Sequence, residues 1–204
     1  MNETTVKAAT RLRPDMRTYL GLFPLALSLI AGGCTGVVVQ DDPGPRGGYV
    51  IGDFDYAAGK GAIETIVTGN PFGGPKQAFD ERVRALMKHQ NRGVPAEFVA
   101  GQSDRTDPLY KVVVSFNLPR AFPNYNMCKD SKALPSEQHP DRLDIAIAFC
   151  YGDQVKSDTT GWVENVRDID DPKFAKLVRS ATLYMLTDYD YRQDRGDGPS
   201  KWLP

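Results

Sequence analysis

Residues 143–166 are the part of the sequence that most constrains the fold. Side chains alternate at its start, where Ile145, Ile147 and Phe149 share one face and Ala146, Ala148 and Cys150 share the other. Gly152 and Asp153 follow as a two-residue turn of the type that places glycine first. The segment therefore predicts an antiparallel β-hairpin, and the fold must contain a sheet.

Other segments carry the periodicity of strands or helices. Strands are predicted at about 49–56, 62–68, 96–100 and 109–117. Helices are predicted over about 76–90 and from Pro172 onwards, because apolar side chains recur there three and four residues apart. Asp171 before Pro172 is typical of a helix start, where a carboxylate caps the first turn.

The order and patterning of these elements predict the fold class. The order is ββαβββ(β)α, and each helix has a single apolar stripe that can pack against one face of a sheet. The first two strands enclose no crossover helix, which disfavours a doubly wound parallel fold. The prediction is an α+β two-layer sandwich, with an antiparallel or mixed sheet of about 5–6 strands and two helices.

The N-terminal segment has the layout of an export signal. Four basic residues precede the apolar run 19–33: Lys7, Arg11, Arg13 and Arg17. That run is shorter than the ~20 apolar residues that cross a bilayer, and the small residues 31–33 then lead to Cys34. The pattern resembles the lipobox of bacterial lipoproteins, although Ala31 stands where that family prefers leucine.

The resemblance implies that residues 1–33 are removed and that lipid on Cys34 anchors the chain to a membrane. A plain secreted protein and an uncleaved anchor are the alternatives. Met16 is a predicted true start, because the residues before it include acidic side chains unusual in a signal. In Gram-negative lipoproteins, aspartate after the cysteine favours inner-membrane retention, so Thr35 favours the outer membrane, on the periplasmic side of the envelope.

The remaining chain divides into three predicted regions. Residues 34–48 are the lipidated cysteine and a flexible linker rich in turn residues, which would let the domain stand away from the bilayer. Residues 49–186 form a single α+β domain, and residues 187–204 form a polar tail that is predicted to be disordered. Removing residues 1–33 from the 204-residue chain leaves 171, enough for one domain with a core.

Cys128 and Cys150 are predicted to form a structural disulfide. They lie 22 positions apart, they do not form a Cys-x-x-Cys motif, and an exported protein meets an oxidising compartment. The bridge would hold the irregular segment 119–141 on the strand that ends at Cys150. Two buried free thiols are the alternative.

The composition gives little sign of catalysis, metal binding or cofactor binding. A formal net charge of −1 offers no electrostatic case for nucleic-acid binding, so no nucleic acid is predicted as a partner. The two histidines, His89 and His139, have no neighbouring ligands at helical or strand spacing, so no metal is predicted. No cofactor motif is present, and the catalytic residues are unknown.

Four apolar side chains are candidates for a binding surface: Phe72, Phe122, Tyr125 and Met127. Phe72 has a competing interpretation as a plug between sheet and helix. The predicted function is a membrane-tethered periplasmic lipoprotein that acts as a binding or envelope-assembly module, with another envelope protein as its partner. The alternative is an envelope hydrolase that uses cleft carboxylates, for which Asp53, Asp55 and Glu64 are the candidates.

Overall fold

A mixed β-sheet organises the described part of the chain. The computed structural model describes residues 36–40, 51–91 and 93–187. Within these residues the strands are β1 Val37–Gln40, β2 Ala62–Thr68, β3 Glu97–Val99, β4 Tyr110–Phe116, β5 Arg142–Tyr151 and β6 Gln154–Glu164. The α-helices are α1 Ile51–Ala58, α2 Lys76–Met87 and α3 Pro172–Met185, and Asn124–Asn126 form a short 3-10 helix. The predicted α+β class and mixed sheet are confirmed.

The six strands lie in the order β1-β6-β5-β4-β2-β3. β2 is parallel to both β3 and β4, and the other neighbouring pairs are antiparallel. Helix α2 leads from β2 to these parallel neighbours, since parallel strands need a crossover connection. The predicted hairpin is confirmed as β5–β6, with Gly152 at a φ of +56° in its turn.

All three helices pack on one face of the sheet. Their buried side chains include Phe54 from α1, Phe79 from α2 and Phe174 from α3, and these join one cluster with the inward side chains of the strands. Both predicted helical stripes are confirmed, and the Asp171 carboxylate accepts a hydrogen bond from the Lys173 backbone N–H, as a helix cap does. This face holds the main hydrophobic core.

The opposite face of the sheet is covered by the irregular segment 119–141 rather than by helices. Side chains from both sides of this contact form a second buried cluster, which includes Val113, Ala146, Ala148, Met127 and Leu134. The predicted disulfide between Cys128 and Cys150 lies within it, with an S–S distance of 2.01 Å. The alternation of residues 145–150 therefore serves two cores, one on each face.

The predicted strand at 49–56 is wrong, because residues 51–58 form helix α1. Phe54, Ala57 and Ala58 are buried at a spacing of three and four residues, which is the helical period. An alternating strand would instead have placed Tyr56 beside Phe54, yet Tyr56 is 69% exposed. The described residues therefore contain one more α-helix than was predicted.

Part of the predicted linker also belongs to the sheet. β1 pairs antiparallel with β6, from Val37 opposite Val163 to Gln40 opposite Thr160. Val37 and Val39 pack against the main core, so this β-branched edge strand buries apolar surface. Residues 1–35, 41–50 and 188–204 lie outside the described residues, and with them Met16, Cys34, Thr35 and the predicted tail.

Replacing Gly161 with alanine should loosen the edge strand. A Cβ at Gly161 would lie 2.9 Å from the Val38 carbonyl oxygen and 3.2 Å from Leu177 Cδ1, so we expect Gly161→Ala to cost about 1–3 kcal/mol of stability. Gly52→Ala is the matched control: its added Cβ meets nothing within 4 Å, and helix α1 should gain up to about 1 kcal/mol. Urea unfolding measures both, and a neutral Gly161→Ala would contradict the β1–β6 packing.

Candidate cleft on the second sheet face

A half-open cleft lies on the second face of the sheet, beside segment 119–141. Its volume is about 450 Å³, within the range of small-molecule sites. β2 and β4 supply Glu64, Ile66 and Lys111, and segment 119–141 supplies Ser131 and Lys132. The connection between β3 and β4 closes another side with Gln102, Pro108 and Leu109. We call this the Glu64 cleft.

Strand geometry explains why these residues meet. Side chains alternate along a strand, so the inward positions Ile63 and Val67 of β2 face the helices while Glu64 and Ile66 face the other way. β2 and β4 are parallel, and Glu64 is the direct register partner of Lys111. Two residues of opposite charge thus occupy neighbouring positions on the same face of the sheet.

Glu64 has an unusual environment for a carboxylate. Glu64 as a whole is only 8% exposed. Among the described residues, no group forms a hydrogen bond or an ion pair with its carboxylate. Its oxygens are not among the fully buried, unpaired side-chain atoms of the described residues, so they lie open to the cleft. Glu64 therefore has unused capacity to accept hydrogen bonds at the cleft.

The other two carboxylates considered for catalysis lie elsewhere. Asp53 and Asp55 are on α1, whose buried residues pack on the helical face of the sheet, whereas Glu64 faces the cleft. Asp53 Oδ2 lies 3.7 Å from Lys156 Nζ, and Asp55 accepts a 2.8 Å hydrogen bond from the Val94 backbone N–H. The structure therefore does not bring the three carboxylates together.

The four candidate binding residues have different environments. Phe72 is half-buried and packs edge-on against Phe174 at 5.4 Å, as the plug interpretation expects. Met127 is fully buried and Phe122 packs against the second cluster, so both help to hold the segment in place. Tyr125 alone among them is largely exposed, at 57%.

Helix α1 and the ends of β4 and β5 form an aromatic cluster on the helical face. Tyr110 stacks on Phe149 at 5.5 Å and contacts Tyr56 and Tyr151 at 5.9 and 5.1 Å. Burial, followed by the negative charge of Asp53, raises the pKa of Tyr110 above its ordinary value of 10.0. Tyr110 therefore stays protonated at neutral pH and acts as a packing side chain.

A second polar cluster lies at the far end of β5. Arg142 pairs with Asp144 and lies over the Trp162 ring, 4.5 Å from its centroid. His139 Nε2 is 3.9 Å from Asp144 Oδ2, a contact between segment 119–141 and the sheet that the sequence spacing did not indicate. Over the described ranges, no group of three or more His, Cys, Asp or Glu residues could hold a metal ion.

Within the described residues, the Glu64 cleft is a candidate ligand-binding site. None of the helices within these ranges has both the length and the hydropathy to cross a membrane. Sequence comparison adds no further assignment. Neither a protein-family model nor a curated protein sequence matches this chain.

Proposed function

We propose that the chain is the precursor of a lipoprotein that is tethered on the periplasmic side of the cell envelope, at the outer membrane, and acts as a binding or envelope-assembly module. Lipid on Cys34 supplies the tether. The basic and apolar pattern before Cys34 supports export and processing. The described domain, with a loop fixed over one sheet face, supports a binding role.

The disulfide between Cys128 and Cys150 is the observation that carries this proposal. Both cysteines are fully buried, and the bridge holds segment 119–141 against the sheet. Structural disulfides persist in oxidising compartments and are rare in the cytosol. The pairing also leaves Cys34 as the remaining cysteine, which lipidation would use.

Segment 119–141 is held rigidly enough to present a fixed surface. Asn124 Nδ2 donates to Asp158 Oδ2 at 3.1 Å, and the Ser136 hydroxyl donates to the Phe116 carbonyl at 3.0 Å. Together with the disulfide, these bonds order a segment that has little regular structure of its own. A preordered surface loses less entropy when it binds, which favours recognition through the exposed Tyr125.

An envelope hydrolase is the alternative, and the position of Glu64 in a cleft is the observation in its favour. A carboxylate there could serve as a general base for a bound water. Hydrolases that use paired carboxylates need the second group in the same cleft, and Asp53 and Asp55 lie on the helical side. The binding role therefore explains more of the structure.

Replacing Cys34 with serine tests the tether. In a Gram-negative host, we expect Cys34→Ser to move the protein from the membrane fraction to the soluble periplasm and to remove the acyl mass from the mature N-terminus. Thr35→Asp is the matched control, since it should keep the protein on membranes but shift it to the inner one. A Cys34→Ser protein that fractionates like the unsubstituted chain would contradict the proposal.

Crosslinking tests the partner. A photo-crosslinking residue at Tyr125 should capture a specific envelope protein in intact cells, whereas the same residue at Leu183, an exposed position on α3 at the helical side, should not. Purification in detergent then identifies the captured protein. Recovery of the chain alone, from both positions, would contradict the assembly role.

A further inference from the structure

We propose that the Glu64 cleft binds an amino acid or short peptide through its free ammonium and carboxylate groups. This inference rests on the proposed binding role and names the ligand class of one site. Glu64 supplies the partner for the ammonium, Lys111 and Lys132 supply partners for the carboxylate, and Ile66 with Leu109 contacts apolar parts of the ligand.

The state of Glu64 favours a ligand that donates hydrogen bonds. The side chain lines the cleft, the residue as a whole is 8% exposed, and the carboxylate accepts no hydrogen bond from the described residues. A primary ammonium brings three N–H donors and a compensating charge. Charge-assisted hydrogen bonds of this kind are stronger than neutral ones, and the low exposure of Glu64 reduces competition from water.

The two lysines of the cleft, together with Glu64, argue against a ligand that is only positively or only negatively charged. Lys111 lies beside Glu64 in the β2–β4 register and Lys132 lies exposed at the rim, so a simple cation would meet two positive charges. A simple anion would meet the carboxylate of Glu64. A molecule that carries an ammonium and a carboxylate complements both signs, and complementary charge is what specifies a ligand.

The size and shape of the cleft set the length of the ligand. A volume of about 450 Å³ accommodates an amino acid or a dipeptide, and the open side leaves room for further residues to extend into solvent. Ser131 is buried at the cleft wall and adds a hydroxyl near the charged groups. The ligand class is therefore small zwitterions of the amino-acid type.

Calorimetry with three related dipeptides tests the charge requirement. The full mature chain, purified in detergent, is titrated with glycyl-leucine, its N-acetyl form and its C-terminal amide. We expect N-acetylation to weaken binding by about tenfold or more and amidation to weaken it severalfold, since each removes one charge. Equal binding of the acetylated peptide, or no binding of glycyl-leucine at about 10 mM, would overturn the proposal.

Two variants test which residues bind the ammonium and the carboxylate of the dipeptide. Glu64→Gln should weaken glycyl-leucine binding by about tenfold or more, whereas Glu97→Gln should leave it unchanged, because Glu97 is exposed on β3 and pairs with Arg105 at 3.1 Å. Lys132→Ala changes an exposed residue and keeps the fold, and it should reduce the difference in affinity between the dipeptide and its amide, since Lys111 remains as a partner for the carboxylate. Binding by Glu64→Gln at the unsubstituted level, or undiminished discrimination between the dipeptide and its amide by Lys132→Ala, would overturn the assignment.

The same variants separate this inference from the proposed function. Glu64→Gln keeps the size of a side chain that has no hydrogen-bond or ion-pair partner among the described residues, so its unfolding midpoint should not fall below that of Glu97→Gln. It should also remain on membranes through Cys34 and crosslink through Tyr125. Membrane attachment and crosslinking without any dipeptide binding would overturn only the ligand class, whereas release from the membrane would contradict the tether.

Discussion

Loss of the disulfide between Cys128 and Cys150 should lower the free energy of unfolding by about 3 kcal/mol. The bridge closes a loop with a sequence separation of 22, and in the chain-entropy model such a crosslink mainly restricts the unfolded chain. Segment 119–141 contains only one short 3-10 helix among its described elements, so few backbone ladders replace the lost constraint. The loss should exceed the effect of any surface substitution.

Urea unfolding of Cys128→Ala/Cys150→Ala, in a Cys34→Ser background that prevents thiol exchange, measures this effect. The parent protein in the same background is unfolded with and without reducing agent as a control. The double variant should match the reduced parent and unfold well before the oxidised one. If oxidised parent, reduced parent and variant unfold together, and mapping finds no linked peptide, the bridge is not formed.

Phe174→Ala should be even more costly, at about 3–5 kcal/mol. Phe174 is fully buried on α3, and its ring lies 5.4 Å from Phe72, 5.9 Å from Phe79 and 5.8 Å from Phe116. Truncating it removes buried area and opens a cavity where α2, α3 and β4 meet. Aromatic pairs contribute about 0.5–1.5 kcal/mol beyond their area, so losing three such contacts adds to the cost.

Leu183→Ala is the matched control for this substitution. Leu183 lies on the same helix but is 38% exposed, so its truncation should cost under about 1 kcal/mol. Chemical unfolding of the two variants should therefore separate clearly at the same protein concentration. Equal costs would mean that α3 does not pack on the sheet through the face described.

Much of the fold was predictable because its signals are local. The alternation before Gly152, the β-branched run in β2 and the single stripes of α2 and α3 each lie within a few residues of chain. Asp171 before Pro172 likewise marks a helix start by chemistry that acts over one turn. Such patterns need no knowledge of distant partners.

The errors fall on short elements whose state depends on tertiary contacts. Helix α1 has eight residues, and its apolar positions also fit an imperfect alternation until the sheet buries Phe54 and Ala57 together. β1 has four residues at the edge of the sheet, and its pairing with β6 is a contact between distant segments. Secondary-structure propensity over so few residues is weak, so tertiary packing determined the conformation of both α1 and β1.

For the Glu64 cleft too, local features could be predicted from the sequence but contacts between distant segments could not. Glu64 was named from sequence only as one of three hydrolase candidates, because a strand pattern does not reveal whether a carboxylate finds a partner. The Glu64 cleft combines β2, β4, the connection to β4 and the disulfide-held segment, which are distant in the chain. The burial of Met127 between that segment and the sheet could also not be predicted from its sequence position.

The position of β1 limits how far a lipid on Cys34 could lie from the sheet. Val37 follows Cys34 by three positions, and three extended residues reach at most about 11 Å. The anchor would therefore hold the β1 edge close to the bilayer instead of on a long linker. Strands lie about 4.8 Å apart, so β2, four strands away, is about 19 Å further along the sheet. Attachment at one edge would thus leave the Glu64 cleft four strands away from the tethered strand.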